Sequence, residues 1–304
     1  MPGGGKNRPS SLVITTLLGR LGLPYDPETG EVLGGPVCGS VIEYPDGGGE
    51  LSASVPRRGG PSRGSDNGEL RQYERDLREH GEAEADRLAE QRGDRRRARS
   101  SEEAVRRARG RVRRVVRFYA LTYMVTLTFP GQGVHDYNRA LRLLQDFVHD
   151  HGQCLHLGGH YIAVPELHPG GHGWHWHVLV WRRFSKVELE ALRCDWTDYL
   201  GRKGMAPSGG ASFVRIDVKR WGSAVAAAGY AAKYVGKTFE SSGIGKGRRR
   251  FLVSMGAEIE ARRFVAGSVE EVAETVRAEV PSAYVVEVPS EDGRPPIVWA
   301  GWDS

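Results

Sequence analysis

The clearest periodicity lies in the middle of the chain. In YMVTLTF, Tyr123, Val125, Leu127 and Phe129 alternate with Met124, Thr126 and Thr128, which predicts a half-buried strand ended by Pro130 and Gly131. Tyr137, Leu141, Leu144 and Val148 then recur at helical spacing until Gly152. Two more strands, over 161–167 and 174–181, flank a PGGHG turn and are expected to pair as a hairpin. Ser185, with Glu188 three residues on, reads as a capping box that opens a second helix carrying Leu189, Leu192, Trp196 and Tyr199 on one stripe and closing at Gly201. Over 212–219, Val214, Ile216 and Val218 alternate with Arg215, Asp217 and Lys219, and an alanine-rich helix over about 223–238 follows. The order β-α-β-β-α-β, then α, predicts an α+β fold: a split β-α-β, ferredoxin-like antiparallel sheet with helices on one face and the other face free for a ligand.

The flanks read differently. Residues 1–68 are dominated by Gly, Pro, Ser and Arg with short apolar patches such as LVITTLLGRLGL, which predicts a mostly irregular arm. Residues 69–117 are charged and alanine-rich with few breakers, an arginine-rich exposed helical segment suited to lying on DNA. The core is expected over 118–240, and a small α+β extension over 241–304, where FLVSMG, a capped helix from Ser268 and two runs around EDGRPP stand out.

The net charge of +5 is modest, but arginines cluster at 95–97, within 106–117 and at 248–250, where they can neutralise phosphates along a nucleic acid. Cys38, Cys154 and Cys194 are scattered and odd in number, which argues against a disulfide framework or a cysteine zinc site and for a reducing cytoplasm. The longest apolar run, around Leu12 to Leu18, falls far short of a bilayer span, and the glycine-rich start lacks a secretory cleavage pattern, so neither membrane nor export is expected.

Candidate chemistry sits on the hairpin and the last core helix. His175 and His177, two apart on one strand, project from the same face, while Trp174, Trp176, Val178 and Val180 turn to the core. A turn about Gly170 and Gly171 sets Glu166 opposite His175 and adds a carboxylate to the histidine face. Glu166, His175 and His177 then form a candidate site for one divalent ion, Mg²⁺ or Mn²⁺ on a phosphate, although two histidines also suit zinc. His168 is a reserve ligand and His172 reads as a loop residue. In GYAAKYVGK, Tyr230 and Tyr234 stack on one helical face, with Lys233 and Lys237 each three residues beyond a tyrosine. A phenol whose ordinary pKa is about 10 needs a nearby cation or metal to act as a nucleophile, which makes Tyr230, Tyr234 and Lys233 catalytic candidates. Gly229 and Gly236 in the same helix point to a close approach of backbone or ligand. Gly236, Lys237 and Thr238 imitate the end of a phosphate-binding loop, but Ala231 stands where its first glycine belongs, so an ATPase is rejected. Arg215, Lys219 and Lys237 are candidate DNA-backbone contacts.

In order, YMVTLTF, ELHPGGHGWHWHVLV and GYAAKYVGK resemble the three motifs of HUH endonucleases, in particular the rolling-circle replication initiators of plasmids and phages. The resemblance implies that Tyr230 cleaves one strand of single-stranded or hairpin origin DNA, leaving a 5′-phosphotyrosine and a free 3′-hydroxyl primer, with Tyr234 as a second nucleophile in some members. It also implies a host helicase and polymerase as partners; the oligomeric state stays open. A conjugative relaxase or a paired-tyrosine transposase would share this chemistry. Two readings from other classes are a non-catalytic DNA-binding protein and a non-haem iron oxygenase, the latter leaving the tyrosine–lysine helix without a purpose.

Overall fold

The computed structural model describes residues 12–21, 37–56, 66–151, 160–205, 214–240, 244–245, 248–290 and 295–303. Up to the first predicted core strand the elements are α1 (Leu12–Leu21), β1 (Val37–Glu43), β2 (Gly49–Ser54), α2 (Asp66–His80) and α3 (Glu82–Phe118). The core follows with β3 (Tyr123–Leu127), α4 (Tyr137–His151), β4 (Ile162–Leu167), β5 (Trp174–Val180), α5 (Lys186–Arg202), β6 (Ile216–Arg220) and α6 (Ala224–Glu240). Last come β7 (Leu252–Val253), β8 (Arg262–Ala266), α7 (Val269–Glu279), β9 (Tyr284–Val288) and β10 (Ile297–Trp302). The chain divides into two compact units: Glu90–Glu258, and a second one drawn from Met1–Ala89 together with Ile259–Ser304.

In the Glu90–Glu258 unit the sheet order is β6-β3-β5-β4-β7 with antiparallel pairing throughout. The four expected strands thus lie in the order fourth, first, third, second, as a split β-α-β sheet requires. Trp174, Trp176, Val178 and Val180 of β5 are buried with Tyr137, Ala140, Leu144 and Phe147 of α4 and Leu192, Trp196, Tyr199 and Leu200 of α5. The indole N–H groups of these three core tryptophans each find a carbonyl: Trp174 donates to His135 at 3.0 Å, Trp176 to Ala140 at 3.2 Å and Trp196 to Thr128 at 2.7 Å. α5 opens with the capping box read from the sequence: Ser185 Oγ accepts from the Glu188 amide at 3.2 Å, and the Glu188 carboxylate accepts from the Ser185 amide at 2.8 Å. Hydrogen bonds from Ser185 and from Arg182 hold the Glu188 carboxyl down at about 2.

The second sheet face departs from the expectation that it is left free. α6 packs over it against β4. Ala227, Ala228, Ala231, Ala232 and Val235 of α6 are buried, as are Ile162, Val164 and Leu179, whose side chains share the histidine face. A stripe of alanines lets a helix lie close to a sheet, a fit that periodicity in one segment does not reveal.

The 130–135 loop is locked against the hairpin turn. Trp174 N donates to Val134 O at 2.8 Å, and Gly173, at φ +70°, has Val134 backbone atoms within 2.7 Å of where a Cβ would stand. Gly133, at φ +76°, faces the His172 carbonyl at 1.9 Å in the same sense. Only glycine meets both demands.

Within residues 1–68, read as a mostly irregular arm, the described parts form α1, β1 and β2 of the other unit, while 1–11, 22–36 and 57–65 lie outside the described residues. That unit's antiparallel sheet runs β8-β1-β2-β10-β9, so a hairpin from the presumed arm occupies the middle of a sheet completed by strands near the far end of the sequence. Leu17 and Leu21 of α1, Val37 and Val41 of β1, and Leu51 and Ala53 of β2 are buried with Val272, Ala273 and Val276 of α7 and Val298 and Ala300 of β10. The arm carries too few apolar residues for a core of its own, and long-range pairing supplies the rest. The expected extension accordingly belongs partly to this unit. In the charged segment, Arg106, Arg107, Arg111 and Arg113 of α3 are exposed as expected, while Val112, Val115 and Val116 at its last turns are buried. Among the described residues no helix is long and apolar enough to cross a membrane. Cys38 and Cys194 carry free thiols, and Cys154 lies outside the described residues.

Two expectations follow. Gly173→Ala should lower stability by about 1–3 kcal/mol through left-handed strain alone and by more once the Val134 clash is added, whereas Gly171→Ala, also at positive φ but in open space, should show the strain without the clash. Denaturant midpoints of the two variants check the difference. Because the Glu188 pKa is depressed from 4.5 in the folded state, its stabilising effect is present above that value and disappears as pH falls toward about 2. The melting-temperature gap between wild type and Glu188→Gln should therefore be open at pH 7 and close toward pH 2.

Candidate active site

Three adjacent strands and one helix build the site. The hairpin register is the one the turn predicts, with Glu166 of β4 opposite His175 of β5. On the other flank of β5, Thr126 of β3 stands opposite His177. His177, 6% exposed, bonds in both directions: its Nδ1 is 3.0 Å from Thr126 Oγ1 and its Nε2 is 2.7 Å from Glu166 Oε2. Glu166 therefore reaches diagonally to His177 rather than to the residue directly across from it. His175 instead lies beside His168, ring centroids 4.8 Å apart, and His168 lies 5.2 Å from His172.

α6 brings its phenols over this row. Tyr230 and Tyr234 lie 4.5 Å apart, and their rings are 6.1 Å and 5.4 Å from that of His177. The Tyr234 hydroxyl is near enough to Glu166 and to Tyr230 to influence how each holds its proton. Lys237 Nζ is 4.6 Å from the Tyr234 ring centroid. Lys233, the expected partner of Tyr230, is exposed, and no hydrogen bond, ion pair or ring contact of its side chain occurs among the described residues. Gly236 accounts for one of the two helix glycines, because Arg109 of α3 lies across it with guanidinium atoms where a Cβ would be; Gly229 faces open space.

Electrostatics sort these groups. Burial alone would raise the Glu166 carboxyl, but the hydrogen bond and charge of His177, the Lys237 ammonium and the Tyr234 hydrogen bond bring it below its ordinary range. Burial, followed by the nearby His168 and His177, pushes His175 down to about 4, so its imidazole is neutral at pH 7. Burial, the hydrogen bond with Tyr234 and the negative charge of Glu166 push the Tyr230 phenol well above its usual pKa. Tyr230 is thus a neutral phenol at rest.

Among the described residues no three His, Cys, Asp or Glu side chains converge into a ready-made metal cage. Of the candidate ligands, His177 Nε2 and Glu166 Oε2 stand 2.7 Å apart, imidazole and carboxylate donors of the kind a divalent ion takes, while His175 stands beside His168. Thr126 fixes the other ring nitrogen, as an orienting partner behind a ligand does, and His175 presents the neutral imidazole that ligation needs.

Of the candidate DNA contacts, Arg215 pairs with Asp217 at 3.0 Å on an exposed edge, while Lys219, also exposed, lies by the Trp221 and Tyr230 rings. Lys219 Nζ lies 4.0 Å from the ring centroid of Trp221, which itself lies 4.6 Å from Tyr230. The sequence reading passed over Trp221 and Thr126. Thr126 was legible only as the polar side of an alternating strand, and Trp221 falls just beyond the last alternating position, where no period marks it.

Residues 122–239 match the family model described as replication-associated protein ORF2/G2P. The matched segment runs from the start of β3 to the end of α6 and holds every candidate site residue, so this part of the chain is similar to replication-associated proteins. No curated protein and no solved structure matches the chain significantly.

Thr126→Val removes one of the two partners that fix a nearly buried imidazole. It should cost about 1–3 kcal/mol, read as a lower denaturant midpoint, and Thr126→Ser should recover most of it.

Proposed function

We propose that the Glu90–Glu258 unit nicks one strand of origin DNA with Tyr230 as nucleophile, the opening step of rolling-circle replication. The observation that supports this most is the pair of α6 phenols over a strand-borne histidine–glutamate pair, in a segment similar to replication-associated proteins. The phenolic oxygen of Tyr230 bonds to phosphorus, the P–O3′ bond breaks, and the 3′ oxygen leaves and takes up a proton in place of the one the phenol gave up. The products are a 5′-phosphotyrosine and a free 3′-hydroxyl, on which a host helicase and polymerase would act.

His177, Glu166 and His175 are the residues that would hold a divalent ion, Mg²⁺ or Mn²⁺. Bound there, it would supply positive charge to the phosphate under attack. Tyr234, its ring 4.5 Å from that of Tyr230, orients the nucleophile, and Lys237 keeps positive charge beside the Glu166 carboxylate. Tyr230 is a neutral phenol at rest, so its proton must leave in the course of the attack. Single-stranded or hairpin DNA is the substrate form that lets a phosphate reach a helix lying over a sheet.

Wild type incubated with single-stranded origin DNA and Mn²⁺ should give a denaturant-resistant protein–DNA adduct that Tyr230→Phe abolishes and Tyr234→Phe only slows. His177→Ala should lose nicking and keep salt-sensitive DNA binding, because ligands and phosphate contacts lie on different segments. Absence of any adduct across origin fragments overturns the reading in favour of a non-catalytic DNA-binding protein.

A further inference from the structure

The two phenols have different cations. Lys237 stands by Tyr234, on the Glu166 side of the helix. On the opposite side, Lys219 Nζ lies 5.6 Å from the Tyr230 ring centroid and 4.0 Å from that of Trp221. Strand register explains the split. On the histidine face, Asp217 and Thr126 share a row with His177, while Lys219 pairs with Met124 in the next row, beneath the Tyr230 end of α6. The Lys219 side chain is exposed, and among the described residues it makes no ion pair, unlike Arg215 two turns of the pleat away. A cation within about 6 Å of an aromatic face is attracted to it, so an unpaired lysine between two rings is held without being neutralised.

Trp221 is what holds it. The residue directly follows β6, its amide donating to Thr122 O at 2.8 Å, and it precedes the Ser223 cap whose Oγ accepts from the Ala226 amide at 3.1 Å. The indole is therefore fixed from the strand and from the start of α6. Its ring lies 4.6 Å from that of Tyr230, which Tyr234 also approaches at 4.5 Å. The indole Nε1 is buried and, among the described residues, has no hydrogen-bond partner.

We propose that Lys219 is the catalytic cation that meets the scissile phosphate beside Tyr230, and that Trp221 is the positioning residue that fixes both. The assignment rests on the nicking reading above. The ammonium contributes where negative charge grows, on the phosphoryl oxygens during attack, so it matters more for the rate than for binding.

The test uses the full chain with single-stranded origin DNA and Mn²⁺ and follows adduct formation at saturating DNA, alongside metal-free binding across a salt series. Lys219→Met should slow adduct formation by about 100-fold while changing DNA affinity less than about 3-fold, and Lys219→Arg should recover part of the rate. Trp221→Phe, which keeps a ring in place, should slow it less, and adding Lys219→Met to Trp221→Phe should cost less than the product of the two single losses, because both act on one arrangement. If Lys219→Met instead lowers affinity and the salt slope by about 0.7, with the rate at saturation unchanged, Lys219 is an ordinary backbone contact and the proposal is overturned. Multiplicative losses in the double variant overturn the role of Trp221. No adduct from wild type removes the nicking reading and this assignment together, whereas a wild-type adduct with an unaffected Lys219→Met rate removes the assignment alone.

Discussion

The alternation along β5 is the constraint on which the site depends. Trp174, Trp176, Val178 and Val180 must face α4 and α5, so His175 and His177 must face the other way. A slip of one residue would bury imidazoles in the core and put indoles among the site groups, and the burial of two tryptophans sets a large energetic bias against it. Core packing thereby fixes a polar geometry that, with only two cross-strand hydrogen bonds, could not fix itself. Once β5 is set, the strand register delivers Glu166 and Thr126 from its two neighbours.

The opposite face works by close approach. Alanines on α6 bring its backbone near the sheet, and the two longer side chains on that surface, Tyr230 and Tyr234, are left to fill the space above His177. The helix sits as a lid of fixed height. Glu166 then has three kinds of partner, an imidazole, a phenol and a more distant ammonium, which together overcome the penalty of its burial.

Much of this was legible in the sequence, and the reasons are local. The hairpin register followed from the PGGHG turn, the capping box from Ser185 and Glu188, and the shared face of the histidines from their spacing. What was not legible depended on docking. Helical spacing gives each tyrosine a lysine three residues on, but only the placement of α6 on the sheet decides that Lys237 and Lys219, rather than Lys233, lie by the rings. The residues 37–54 looked unable to form a core because their partners, β8 and β10, lie nearly the length of the chain away. Composition within a window cannot register such a partner.

That sheet also has a consequence for how the protein comes to be folded. The hairpin β1–β2 emerges early in synthesis yet gains its two flanking strands only when residues up to Trp302 have been made. Contacts of such long sequence separation form slowly, and two open strand edges persist meanwhile. The Glu90–Glu258 unit has no such dependence: every strand of its sheet lies within it. During translation the site-bearing unit can assemble while its companion still waits, so a ribosome stalled before β10 would leave a nascent chain with a completed site and an unsealed hairpin.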